Sequence, residues 1–308
     1  MSLRESYIRL HLAILLAGGT GLFGKLISLS ELPLVWYRIW IAAIILFFIL
    51  LFSKRIHKIE WGPFLRIFSC GMLLAIHWVF FYGSIKAANV SIGVVCFATV
   101  GFYTALLEPI IYRRKPLWRD IVFSLLTIIG ILLIFQLDVR YRLGIGLGMV
   151  SSIVYAFFSI FSKKVQESTG KSSSTMLLYE LLGGGTILTL ILPLYLLFFP
   201  DLQVVPSPSD FLLLLIFASV FTIGPFLLQL QALRRISAFT VNLSYNLEPV
   251  YSILFAMLLF NEARALNISF WIGLSLIILS VFLQTFKIVK ILFLQLLFIS
   301  EKCVNFAV

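Results

Sequence analysis

The sequence predicts an all-α polytopic membrane protein: ten transmembrane helices arranged as two inverted five-helix repeats, with both termini cytoplasmic. Three observations predict it. First, 61% of the 308 residues are hydrophobic and 12% are charged, with a mean hydropathy of +1.08, whereas soluble domains carry about 45–50% apolar and about 25% charged residues. Second, apolar runs long enough to cross a bilayer recur along the chain. Third, lysine and arginine collect in alternate connecting segments.

The composition excludes a cytosolic enzyme, a secreted disulfide scaffold and a disordered chain, because so few charges could not cover a soluble surface of this size. A net charge of +11 would suggest nucleic acid in a soluble chain. Here it suggests none, since basic residues gather in the cytoplasmic loops of membrane proteins. Cys70, Cys96 and Cys303 form no CxxC, no disulfide framework and no metal site.

A helix needs about 20 mainly apolar residues to span a bilayer. Ten such runs fall at roughly 10–29, 34–53, 62–83, 89–112, 118–136, 143–162, 174–199, 210–232, 238–260 and 268–286. They are rich in Leu, Ile and Phe and do not alternate, which argues against barrel strands. The first follows Arg4 and Arg9 and reads straight into Ala17-Gly18-Gly19-Thr20-Gly21 and Lys25, without a small-residue cleavage box. It is expected to be an uncleaved helix. The connections are short and polar, and none could hold a soluble domain. Ile291–Ile299 is too short to span, so the tail 287–308 is expected to be an interfacial helix or a poorly ordered end.

The positive-inside rule sets the topology. With the N-terminus inside, the inner segments hold 18 of the 24 Lys and Arg; the outer ones hold Lys86, Arg140, Arg142 and Arg264, and Lys25 and Arg38 lie within spans. A missed helix would scramble this bias downstream of it.

An internal repeat supports the same architecture. Val100–Leu107 resembles Glu248–Phe255, with Tyr103 matching Tyr251 and Thr104 matching Ser252 at an offset of 148. Ala88–Ser91 resembles Arg234–Ser237 at an offset of 146, which calls for a small gap. The period is close to half the chain, so each half holds five spans, 1–137 and 143–286. Five is odd, so the second half enters the membrane inverted. Inverted repeats suit alternating access around a site near the midplane.

These features resemble the EamA-type transporters of the drug/metabolite transporter superfamily over roughly residues 8–286. The stretches that carry the resemblance are Gly18–Lys25, Arg38, Phe97–Leu106, and Leu247–Leu254 with Asn261-Glu262. Gly101 stands where the family usually has proline, and Arg114 where an acidic residue often follows the fourth span. The second repeat keeps both, as Pro249 and Glu262. The resemblance implies an inner-membrane carrier, mostly exporting, for amino acids, related metabolites or drugs.

Ionisable residues are costly inside a bilayer and usually face the protein interior or water. Lys25, Arg38, His77, Glu108, Glu180 and Glu248 are such residues. On the ninth run Asn242, Tyr245, Asn246, Pro249 and Ser252 fill one arc of about 120° at about 100° per residue, with Glu248 at its edge. Pro249 removes a backbone donor there. A polar arc on a broken helix is what a substrate path requires. Glu248 could bind a substrate amine, carry a proton or pair with a structural cation. Lys25 and Arg38 could bind a carboxylate, form interhelical ion pairs or snorkel to the outer interface.

Trp78 and Tyr82 form an aromatic stripe that could line the path or simply pack. His77 could carry a proton or hydrogen-bond across helices. Glu180, before Gly183-Gly184-Gly185, could gate or carry a proton, and Glu108 could pair with Arg113-Arg114-Lys115. Ser152, Tyr155, Ser159 and Ser162 form a polar stripe, as do Thr222, Pro225 and Gln229; both could line an aqueous path or join helices. The expected substrate-binding set is therefore Glu248, Asn242, Tyr245, Asn246, Lys25, Arg38, Trp78, Tyr82, Tyr103, Tyr251, Tyr155 and Gln229. Glu248, Glu180 and His77 are the proton-coupling candidates. No catalytic residue, metal or cofactor is expected: there is no Walker motif, HExxH or GxSxG. The expected partners are a small-molecule substrate and the lipid bilayer. The rival readings are an intramembrane lipid-modifying enzyme, a nucleotide-sugar or drug carrier, and a structural or receptor subunit.

Overall fold

The computed structural model describes residues 2–56, 59–135, 141–252, 255, 268–269, 271–273, 275–276, 278–280 and 282–283. Among them there is no strand. The helices are α1 (Leu3–Gly18), α2 (Thr20–Leu26), α3 (Glu31–Phe52), α4 (Trp61–Ala87), α5 (Val90–Phe97), α6 (Val100–Ile111), α7 (Trp118–Phe135), α8 (Arg142–Thr169), α9 (Ser173–Phe198), α10 (Pro208–Ala218), α11 (Gly224–Leu233) and α12 (Ala238–Ser244). A π-helical turn, Ser219–Ile223, joins α10 to α11, and a 3-10 turn, Tyr245–Leu247, follows α12.

Seven segments of the described residues are long and apolar enough to cross a membrane: Leu3–Leu26, Glu31–Phe52, Trp61–Ala87, Ile92–Ile111, Arg142–Thr169, Ser173–Phe198 and Pro208–Leu233. The fifth expected run is α7, whose apolar stretch Asp120–Gly130 is shorter. The ninth and tenth runs lie partly, and Asn261-Glu262 and the tail 287–308 wholly, outside the described residues.

Local chemistry moves several boundaries. The first helix starts at Leu3 rather than near residue 10, because Ser2 and Glu5 form a capping box with reciprocal bonds of 3.1 and 3.0 Å. Ser207 and Asp210 do the same for α10, with Pro208 at its first turn. Lys54 and Arg113 end α3 and α6 in the left-handed region, at φ 53° and 54°. Each places a cation at a helix C-terminus, where the dipole favours it.

Four spans are broken rather than continuous. α1 and α2 part at Gly19, where the Phe221 ring lies 2.5 Å from the place a Cβ would occupy. α5 and α6 part at Ala98-Thr99. Pro225 has no N–H, so the carbonyl four residues before it lacks its α-helical partner. The ladder slips there into the π turn, and the Thr222 hydroxyl donates to Phe217 O, five residues back, at 2.9 Å. The fourth break is the Tyr245–Leu247 turn.

The long helix α4 packs along both α8 and α9. Its contact with α9 brings backbone against backbone: a Cβ at Gly71 would lie 1.8 Å from Glu180 O, and one at Gly183 2.1 Å from Phe68 O. Lipid tails supply little hydrophobic drive between helices, so such close van der Waals contact holds them together. The glycines after Glu180 therefore serve packing. Large apolar side chains such as Phe52, Trp61, Leu197 and Phe198 remain exposed on the outside, as a lipid-facing surface requires.

Candidate functional site

The breaks converge on one small cavity. Ala17 and Thr20 flank the Gly19 break, Phe97 precedes the second, Pro225 follows the π turn, and Tyr245 and Glu248 bracket the 3-10 turn; all six line the cavity. His77, Trp78, Phe81 and Tyr82 of α4, Tyr155 of α8, Phe226 of α11 and Arg38 of α3 complete its wall. Its volume is about 30 Å³, room for only a few waters, since each needs about 10–15 Å³ of such space.

Arg38 is its cation. It is 1% exposed, so it does not snorkel to an interface. Its Nε donates to the Thr222 hydroxyl at 2.7 Å and its Nη1 to the Tyr82 hydroxyl at 2.9 Å. The guanidinium lies 4.0 Å from the Trp78 ring centre and 4.2 Å from that of Phe217. A planar cation with two donors fixed and two aromatic faces against it has little freedom to turn. Its described contacts include no direct salt bridge, and the acid that acts on its charge is Glu248.

Glu248 is the matching acid, 3% exposed, with the Arg38 charge acting on it across the cavity. The 3-10 turn explains its place. The α-helical wheel puts Tyr245 and Glu248 about 60° apart, with Glu248 at the edge of the polar arc. In a 3-10 turn residues i and i+3 eclipse, and the pair faces the cavity together.

The same turn corrects the arc as a whole. Asn242 turns away from the cavity: its amide donates to Thr104 at 2.8 Å and its carbonyl accepts from Ser159 at 3.0 Å. The Asn246 amide donates to Thr127 at 3.1 Å, and Ser252 donates to Gly18 O at 2.7 Å. These residues tie helices together. Tyr103 and Tyr251 are half-buried at the edge of the core, outside the cavity wall, with the Tyr251 Cβ against Gly18. Lys25 is exposed in the last turn of α2 and does not line the cavity. The structure thus separates Asn242, Asn246, Tyr103, Tyr251 and Lys25 from Arg38, Trp78, Tyr82, Tyr155, Tyr245 and Glu248.

Gln229 stands directly behind the wall. Its carbonyl oxygen accepts the hydroxyls of Tyr155 at 2.8 Å and Tyr245 at 2.9 Å, which fixes two rings from different helices on one atom. The His77 Nδ1 lies 3.1 Å from Ser151 O and 2.8 Å from Ser151 Oγ. A carbonyl only accepts, so donation to Ser151 O places the proton on Nδ1, whereas donation by the Ser151 hydroxyl places it on Nε2. Glu180 sits apart, fully buried on α9, accepting from Ser162 at 2.7 Å with its second carboxylate oxygen unpartnered among the described residues. Glu108 accepts the Phe239 N–H at 2.7 Å, so it caps α12, while the charges of Lys163 and of Arg114 in the basic cluster also act on it.

Phe217, Phe226, Thr20 and Ser151 belong to the site but were not among the expected residues. A phenylalanine in a phenylalanine-rich run gives no sequence signal. Ser151 adjoins the Ser152–Ser162 stripe, which was the available hint.

The repeat reaches the site itself. Phe97 and Tyr245 are 148 residues apart, both line the cavity, and their rings meet at 6.4 Å. Trp78 and Phe226 are also 148 apart, both line it, and meet edge to face at 4.9 Å. The helix caps Asn89 and Ser237 are again 148 apart and bond the backbone three residues on at 2.9 and 3.1 Å. The gap expected near Asn89 is therefore not needed: Asn89 pairs with Ser237, not Ala88 with Arg234.

Comparison with known proteins agrees with this architecture. One crystal structure, described only as "Crystal structure of protein", superposes with a TM-score of 0.71 at 15% identity, over 91% of this chain and 96% of that one. At that identity the likeness is one of fold. No curated protein matches. The model of the EamA-like transporter family matches twice, over residues 6–136 and 142–286. With most of its length matched in two successive copies, the chain belongs to the EamA-like transporter family.

Proposed function

We propose that this protein is an inner-membrane secondary transporter that exports small metabolites such as amino acids by alternating access. Its ten helices form two inverted repeats, 1–137 and 143–286, with both termini in the cytoplasm. One observation carries the reading: Arg38 and Glu248, two buried opposite charges, face one aromatic-walled cavity at the meeting point of four helix breaks. A zwitterion offers the complement. Its carboxylate would take the Arg38 Nη2 edge, since the described contacts engage only Nε and Nη1. Its ammonium would take Glu248, and its side chain the aromatic rings. The cavity of about 30 Å³ is far too small for such a molecule, so loading requires the halves to part, as alternating access provides. Glu248, Glu180 and His77 are the groups that would carry a coupled proton.

The test uses liposomes loaded with labelled amino acids, with and without a pH gradient, for wild type and Glu248→Gln. Selective release by wild type, lost in a variant that still folds, is expected, and a response to the gradient would add proton coupling. Release no faster than from empty liposomes across the panel would overturn the amino-acid assignment.

A further inference from the structure

A second concavity lies away from the central cavity, on the outside of α4 between α8 and α9. It is a groove of about 800 Å³. Leu73 and Ile76 of α4, Phe161 of α8 and Ile187 of α9 form its apolar part, while Arg66 and Lys164 stand at one end. Both cations are exposed. Among the described residues Arg66 makes long contacts, 3.4 Å to Gly62 O and 3.5 Å to the Ser168 hydroxyl.

From Arg66 to Ile76 the helix rises about 15 Å. That is half of the hydrocarbon core of about 30 Å, one leaflet deep. The charged end lies at the start of α4 and the finish of α8, next to connections that hold Lys54, Arg55 and Lys171. No acidic side chain lines the groove among the described residues. The nearest carboxylate on α8, Glu167, accepts the Tyr112 hydroxyl at 3.0 Å and pairs with Lys163 at 3.3 Å, so its charge is engaged elsewhere. Glu60 precedes α4 and does not line the groove.

We propose that this groove binds one anionic phospholipid, with its phosphate between Arg66 and Lys164 and an acyl chain along the apolar part. Charge complementarity selects the headgroup, and a depth of one leaflet selects a chain over a soluble anion. Basic pockets between transmembrane helices hold anionic headgroups by the same physics.

The experiment is a titration of the full-length protein in neutral detergent, with bound lipid counted by native mass spectrometry. The probes are phosphatidylglycerol and phosphatidylcholine of identical chains, and glycerol phosphate as a headgroup without a chain. Phosphatidylglycerol is expected to bind at least tenfold tighter than phosphatidylcholine. Arg66→Gln and Lys164→Gln should each weaken it about fivefold, and together about thirtyfold. Ser69→Trp, which places a large ring in the groove from an exposed position, should abolish binding of the first lipid. If that variant fails to fold, the two charge variants decide, since both side chains are exposed. Equal binding of the two lipids, full binding by the double charge variant, or equal competition by glycerol phosphate would each overturn the proposal. So would a wild-type dimer that the groove variants dissolve, which would assign this face to a second copy of the chain.

Discussion

The span made of α5 and α6 and the span that begins with α12 are two versions of one device. Both start on a polar cap, Asn89 or Ser237, and both break at matching positions, Ala98-Thr99 or Tyr245–Leu247. Both put an aromatic ring into the cavity where the helix gives way, Phe97 as the last helical residue and Tyr245 as the first of the turn. The chemistry then diverges. Tyr245 adds a hydroxyl that reaches Gln229, whereas Phe97 has none. At an offset of 148, Glu248 stands opposite Val100, which is fully buried in the apolar core. The comparison teaches that the backbone break belongs to the repeated architecture, while the charge belongs to one copy. Two like charges at equivalent places would repel in a buried cavity with one cation; one carboxylate and one guanidinium do not.

The largest test of this asymmetry removes the cation that serves it. Arg38→Met leaves Glu248 a buried charge without its counter-charge, and strips the donors from Tyr82 and Thr222. A loss of about 3–5 kcal/mol in stability is expected, read as a lowered unfolding midpoint in micelles. Arg38→Lys should recover only part of it, because an ammonium cannot present a fork or lie flat on Trp78 and Phe217. Full recovery by lysine would mean that charge alone matters there. Next comes Glu248→Gln, which keeps the shape. Release from liposomes should fall about 10²-fold, the worth of a charge-assisted contact of about 2–3 kcal/mol, and the unfolding midpoint should fall as well, because Arg38 then keeps a buried charge without its counter-charge. A variant that transported normally would break the comparison, since the two breaks would then be functionally alike.

How much of this was legible beforehand depends on which physical rule each residue obeys. Hydropathy and charge segregation are summed over many residues, and they located seven spans, most ends to within a few positions, but the first begins at Leu3 rather than 10 and the sixth runs on to Thr169 rather than 162. Arg38 and Glu248 were legible for the same reason: a charge in an apolar run has few places to go. The cavity's outline was not legible. A helical wheel assumes a constant 100° per residue, and the 3-10 turn at Tyr245–Leu247 breaks that assumption where it matters most. It moves Glu248 into the site, while Asn242 and Asn246 bond to other helices. Pro249 drew attention to the right span, but Pro225 marks the π turn that holds Thr222 against Arg38. Lys25, in the last turn of α2, is exposed, and its position in the sequence had left open whether it would reach the interface or the site. Phe217 could be recognised only from its contact with the guanidinium.

The π turn gives a sharper test of intermediate size. Thr222→Val is nearly isosteric but removes the hydroxyl that Arg38 Nε donates to at 2.7 Å. A cost of about 1.5–3 kcal/mol is expected for a buried bond to a charged group, with a matching fall in release if Arg38 must hold its aim. Smaller again are Tyr155→Phe and Tyr245→Phe, each about 1 kcal/mol. Gln229 Oε1 accepts from both, so either tyrosine alone keeps that oxygen satisfied. The double variant leaves it bare, and the loss should exceed the sum of the single losses. Simple additivity would show that the two rings are held by packing, and that the hydroxyl distinguishing Tyr245 from Phe97 does nothing for the site.

The smallest test bears on what the two copies share. Asn89→Ala and Ser237→Ala each remove one cap, and each should cost about 1 kcal/mol of stability. The two caps bond the third backbone N–H at nearly equal lengths, 2.9 and 3.1 Å, so equal destabilisation is expected from a repeated device. Transport need not follow stability. The Ser237 cap starts the helix that delivers Tyr245 and Glu248, and Phe239 N in its first turn is also held by Glu108. The Asn89 cap starts a helix that delivers an aromatic ring and no charge. Ser237→Ala should therefore lower release more than Asn89→Ala at matched stability, by about twofold to threefold if a fraction of a kcal/mol is lost from the aim of Glu248. Equal release from the two variants would mean that the position of the carboxylate tolerates a loosened cap, and that the break, rather than the helix leading to it, sets where the charge stands.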